Sequence, residues 1–167
     1  MSDAVQKIQE LLKLPQSLCN MCGKCCYVAT FRGGKSYQEI IDLIKNPESN
    51  PIDVEGAIDF LTIFEPYEDH DTVKILEPEF YERVMKKIGN PNTSFFICRF
   101  IGKNGGCMIH EDRPFLCRVY PVPHETTMFI PGCGFENQCV ANWEEIKKIV
   151  LEVEERAAAR TKLKPEE

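Results

Sequence analysis

Cys19-Asn20-Met21-Cys22-Gly23-Lys24-Cys25-Cys26 places four thiols within eight residues. Two residues between cysteines form a turn that lets both sulfurs converge on one point, as a tetrahedral metal or an iron–sulfur cube requires of its ligands. Adjacent Cys25 and Cys26 do not converge so easily, because successive side chains of an extended chain face opposite ways. Either the pair feeds two sites, or one thiol ligates while the other packs. The stretch is a metal-site signature, and the rest of the chain is read outward from it.

Upstream, Val5, Ile8, Leu11 and Leu12 recur at helical spacing from Asp3 to Leu14, and Pro15 forbids continuation. Downstream, Tyr27 to Phe31 reads as a short strand ended by Gly33-Gly34. Residues 35–90 contain no cysteine and read as a helical insertion packed over the metal core. Ser36 with Glu39 forms a capping box for a helix from Tyr37 to Lys45, stopped by Asn46-Pro47. Val54, Ala57, Ile58, Leu61 and Phe64 mark a second helix from Ile52 to Glu65, closed by Pro66. The acidic stretch Glu65–Asp71 with His70 is expected to be a solvated loop, although carboxylates beside an imidazole are also hard-metal ligands. Thr72 to Leu76 reads as a brief strand, and Pro78 opens a helix that Gly89 ends.

From Ser94 the pattern turns to β, with Phe95 to Ile101 and Cys107 to His110 as two arms around Lys103-Asn104-Gly105-Gly106. With Asn104-Gly105 as a two-residue turn, Cys107 pairs with Gly102, and Cys98 lies roughly 13 Å up the strand at about 3.3 Å per residue. With the loop centred on Gly102-Lys103, Cys98 faces Cys107 and the two can share a site. Both registers are open. Arg113-Pro114 starts a short turn or helix bearing Cys117 and Arg118, ended by Pro121 and Pro123. Met128 to Ile130 reads as another short strand, Pro131 to Gly134 as a loop around Cys133, and Cys139 as preceding the last helix. Asn142 with Glu145 predicts that helix's cap, and Ile146, Ile149, Val150 and Val153 its inner face as far as Arg160.

One domain over residues 1–160 is expected from 167 residues that are 43% hydrophobic, with 161–167 as a disordered tail. The net charge of −6 and scattered basic residues argue against nucleic-acid and anionic-membrane partners. No run approaches the roughly 18 apolar residues of a membrane span. Met1 to Gln9 resembles neither a secretory signal nor a transit peptide. Nine cysteines in such a chain predict a reducing, cytoplasmic setting in which thiols serve metals. No G-x-G-x-x-G after a strand, no P-loop and no G-x-S-x-G is present, and His70, His110 and His124 form no evident dyad, so catalytic residues are not assigned.

Cys-x2-Cys-x2-Cys-Cys at 19–26, Cys98, Gly106-Cys107-x-Ile109 and Arg113-Pro114-x-x-Cys117-Arg118-x-x-Pro121 together resemble the CxxCxxCC cysteine-cluster family, also called YkgJ-type. The resemblance covers residues 19–31 and 94–142. It implies a cysteine-rich core whose shared cysteines hold zinc or an iron–sulfur cluster. Some longer relatives are lysine N-methylases acting on flagellin, so an enzyme subunit supporting protein lysine methylation is one implied role. Carried over by position, the shared eight are Cys19, Cys22, Cys25, Cys26, Cys98, Cys107, Cys117 and Cys139, leaving Cys133 as the ninth thiol. Gly-flanked Cys133 remains a candidate ligand because its backbone can approach a cluster closely.

Two layouts follow. In one, two four-thiolate sites divide the cysteines; in the other, Cys19, Cys22 and Cys25 plus a distant thiol hold one [4Fe-4S] cluster, a spacing like the first ligands of a bacterial ferredoxin. That spacing favours iron–sulfur, with zinc as the alternative, since zinc accepts the same thiolates. Arg99, Arg113 and Arg118 neighbour ligand positions and would offset thiolate charge, unless they pair with Glu111 or Asp112; His110 and Tyr120 are further candidate donors. The expected molecule is an α+β domain: a small β-hairpin core stapled by metal, with N-terminal, inserted and C-terminal helices. Its expected role is electron transfer, cluster handling or accessory maturation through a protein partner, or a zinc-stapled interaction module. Cys22→Ser is expected to lower metal content and melting temperature together, because metal binding here is folding energy. Full metal with an unchanged melting temperature would remove Cys22 from the ligand set.

Overall fold

The computed structural model describes residues 3–125 and 127–162. Its chain separates into two compact units: Cys19–Tyr120 with Met128–Cys133, and Met1–Leu18 with Pro121–Thr127 and Gly134–Glu167. Among the described residues there are eight α-helices and one three-stranded sheet, an α+β arrangement. None of these helices is long and apolar enough to cross a membrane.

The larger unit is built on β3 (Phe95–Cys98), the middle strand of the order β1-β3-β2. β1 (Ala29–Thr30) and β2 (Phe64–Pro66) flank it antiparallel, with Ala29 opposite Phe96 and Phe64 opposite Cys98. Consecutive strand side chains point to opposite faces, so Phe95 and Phe96 enter different cores. Phe95 joins Val28, Val73, Phe80, Val84 and Ile130, while Phe96 joins Phe31, Ile40, Ala57 and Phe60. The residues between 35 and 90 supply most of both. α3 (Tyr37–Lys45) and α4 (Pro51–Ile63) line the Phe96 face; α5 (His70–Leu76) and α6 (Pro78–Ile88) line the Phe95 face.

Local signals explain most element ends. Ser36 and Glu39 make both bonds of the expected capping box. Asn50 caps α4 with Pro51 at its first turn, and left-handed Gly89 closes α6. Several expectations are corrected. The helix predicted to Glu65 stops at Ile63, because Phe64–Pro66 finds a partner in β3, and Pro66, lacking an N–H, suits an edge strand. Thr72–Leu76 is helical, since the Asp69 carboxylate accepts from the Thr72 N–H at 2.8 Å and starts a turn. Met128–Ile130 forms no strand. Side chains occupy its carbonyls instead, with Tyr120 donating to Met128 and Arg83 to Phe129. Cys107 sits opposite Ile101 in a single bridge, with Gly102 N–H bonded to Gly106 O, so neither predicted hairpin register occurs.

In the smaller unit, α1 (Asp3–Leu11) packs on α8 (Glu136–Lys162). α8 starts before Asn142, which is no cap: its side chain donates to the Leu11 carbonyl at 2.8 Å and satisfies an orphan acceptor of α1's last turn. Lys7 pairs with Glu145 at 2.8 Å. α8 includes Thr161 and Lys162, beyond the expected helix end, and residues 163–167 of the expected tail lie outside the described residues.

Phe96 is fully buried and meets the Phe60 ring edge-on at 4.9 Å. Phe96→Ala is expected to cost about 3–5 kcal/mol in chemical denaturation. A loss below about 1 kcal/mol would contradict a strand covered on both faces.

Candidate metal centre

Cys98 ends the central strand, and the sheet register decides what stands beside it. Followed back from Ala29 and on from Phe96, the antiparallel pairing brings the helical turn α2 (Lys24–Tyr27) to the exit of β3. Cys25 and Cys26 are the middle residues of that turn, and the Cys26 thiol stands beside both Cys25 and Cys98. A neighbouring S–H favours a thiolate beside it, and the Cys26 thiol is the main influence lowering Cys98 to about 6 and Cys25 to about 7. Cys26, as the donor, is correspondingly pushed up. The Phe100 N–H also donates to Cys98 Sγ at 3.4 Å, a backbone donor of the kind that supports a ligand thiolate.

Cys107 and Cys117 belong to the same neighbourhood. Burial is the main cause that raises the Cys117 thiol to about 11, and the nearby Cys98, Cys107 and Cys25 add to it. The Arg113 guanidinium opposes this and also pulls Cys25 down. Cys117 is carried by α7 (Phe115–Val119), whose Leu116 packs on the Phe96 core. Among the described residues, no three Cys, His, Asp or Glu side chains are already gathered as ligands of a metal ion. The donor set nevertheless has the chemistry of a thiolate centre: five thiols around β3's exit, two of them held toward the thiolate form, and a backbone N–H on a sulfur.

The remaining thiols divide between the two units. Asn20 Nδ2 donates to the Gly132 carbonyl at 3.2 Å, and Asn20 Oδ1 accepts from the Cys22 N–H at 3.4 Å. These bonds set the Cys19–Cys22 loop beside the turn that carries Cys133. Met21 within that loop is the one non-glycine residue at positive φ among the described residues. Cys139 is buried in α8 of the smaller unit.

The other expected site residues make contacts of their own. Arg99 pairs with Glu65 at 3.2 Å and not with Glu111 or Asp112. Arg113 Nε donates to the His110 carbonyl at 3.0 Å, and Arg118 lies in the last turn of α7. His110 Nδ1 donates to Glu111, and the Tyr120 hydroxyl donates to the Met128 carbonyl. His70 is half-buried at the start of α5: Nε2 donates to the Thr93 carbonyl at 2.6 Å, and the ring meets Tyr81 and Phe95 edge-on.

Residues 18–140 match a family described as "Putative zinc- or iron-chelating domain", CxxCxxCC. The chain belongs to this family. No curated protein and no solved structure matches it. The family span takes in all nine cysteines as well as the inserted helices, whose strand β2 completes the sheet. Family membership supports metal binding and leaves zinc and iron both in play.

One close approach is invisible in linear sequence. Gly23 has φ 73°, and a Cβ there would run into the carbonyl oxygen of Gly105, while the Tyr27 ring borders Gly105 itself. The glycine inside the cysteine motif thus lets the ligand turn rest on the 102–106 loop. Gly23→Ala is expected to reduce bound metal and to destabilise the chain by about 1–3 kcal/mol, from strain at positive φ plus the displaced loop. Metal content and urea midpoint equal to wild type would refute that contact.

Proposed function

We propose that this is a cytoplasmic iron–sulfur protein acting in electron transfer, cluster handling or accessory maturation through a protein partner. One observation carries the proposal: Cys25, third cysteine of a ferredoxin-like spacing, neighbours Cys26, Cys98, Cys107 and Cys117 at the exit of one strand. Soft thiolates in that number suit iron–sulfur and zinc alike. The spacing of Cys19, Cys22 and Cys25 favours iron–sulfur. A bound cluster would supply one-electron chemistry. The chain's own residues would hold it and tune it: Phe100 N–H donates to a ligand sulfur, and Arg113 offsets thiolate charge.

The ligands we infer are drawn from Cys19, Cys22, Cys25, Cys26, Cys98, Cys107, Cys117 and Cys139, with Cys133 as a further candidate. The Asn20–Gly132 bond, which sets the Cys133 turn beside the Cys19–Cys22 loop, supports Cys133.

Protein purified without oxygen is expected to be brown, with matched iron and sulfide. A colourless protein with stoichiometric zinc and no sulfide would replace the cluster with a zinc-stapled interaction module. In the same preparation, Cys133→Ser is expected to lose metal. Full metal in Cys133→Ser would remove Cys133 from the ligand set.

A further inference from the structure

The turn that carries Cys25 and Cys26 is only four residues long, Lys24 to Tyr27. A single helical turn has no cooperative stability of its own. Its orientation must come from tertiary contacts, and the inserted segment supplies one at each end. At the C-terminal end, the Tyr67 hydroxyl donates to the Tyr27 carbonyl at 2.6 Å. Tyr67 is itself anchored, because its N–H donates to the Phe95 carbonyl at 2.9 Å and its side chain packs on the Phe95 core. At the N-terminal end, Lys24 Nζ lies 3.5 Å from Glu77 Oε1. Glu77 is the joint between α5 and α6, closing one helix and preceding the other, so two helices hold its backbone. The Glu77 side chain is 17% exposed and that of Lys24 42% exposed, so the carboxylate end of the pair is the sheltered one. The two residues between these anchors are the two thiols.

We propose that Tyr67 and Glu77 are positioning residues for the metal centre. They clamp both ends of the α2 turn so that Cys25 and Cys26 stay against Cys98, and they thereby slow the loss of bound metal. The inserted segment is then part of the binding machinery, although it contains no cysteine. This rests on the thiolate-centre reading above and adds to it a function for residues that touch no metal.

The test uses the full chain purified with its native metal under anaerobic conditions. Excess EDTA is added, and the iron or zinc still bound is counted after desalting at timed intervals. Tyr67→Phe keeps the ring and removes one hydrogen bond, and is expected to release metal about fivefold faster. Glu77→Lys is expected to accelerate release as well, and the double variant Lys24→Glu/Glu77→Lys to return toward the wild-type rate. His70→Leu is the control: it removes the bond to Thr93 within the same packed helices, and is expected to lower the melting temperature while leaving the release rate within about twofold. Wild-type release rates in both Tyr67→Phe and Glu77→Lys would overturn the proposal. Equal acceleration in His70→Leu would also overturn it, by showing general loosening in place of a clamp. If Tyr67→Phe does not fold, the charge-swap pair decides alone, and failure of the swap to rescue counts against the clamp. A wild-type chain that carries no metal would overturn this inference together with the reading beneath it.

Discussion

Strand β3 is paired on both edges and covered on both faces, and this confinement organises the larger unit. Phe95 and Phe96 fill opposite cores, while β1 and β2 take its two rows of backbone donors and acceptors. A four-residue strand confined in this way has little freedom in where it ends, and it ends on Cys98. The register with β1 then places α2 at that exit. A slip of one residue would turn Phe95 and Phe96 to the wrong faces, so the hydrophobic pattern that holds the strand also holds the thiols in place. Metal chemistry and core packing here share one constraint.

The electrostatics of the thiol neighbourhood follow from crowding. Burial raises the Cys117 thiol first and its neighbouring sulfurs add to this, while the Cys26 thiol beside Cys25 and Cys98 favours their thiolates. Arg113 adds one positive charge. A metal cation would complete this balance, which is why thiolate sites and folding are commonly linked. The glycines serve the same end by another route. Gly23 permits backbone contact with Gly105, bringing two cysteine-bearing loops closer than side chains would allow.

The inserted helices change meaning when seen in space. Read along the chain, residues 35–90 interrupt the cysteine pattern and look like an addition to it. In the fold they supply strand β2, most of both cores and the two contacts that end α2. Their role was hard to see because β2 is three residues long and its pairing with β3 spans over thirty residues. Nothing in the local run Leu61–Pro66 separates a helix end from an edge strand. The segment Met128–Ile130 shows the reverse case: its apolar run reads as a strand, but side chains of Tyr120 and Arg83 occupy its carbonyls.

What the sequence by itself determined was local: the capping box at Ser36, the proline and glycine stops, the α+β class, and the cysteine spacing that marks a thiolate centre and its family. Such features depend on neighbours within a few residues, and physical rules for them act at that range. Only the tertiary structure decided that Cys25, Cys26, Cys98, Cys107 and Cys117 are neighbours, that half-buried His70 bonds to Thr93, and that Tyr67 and Glu77 contact the two ends of α2. Each of these depends on strand register and helix packing between distant segments, and a register is chosen by the burial of whole faces, not by any single residue's preference.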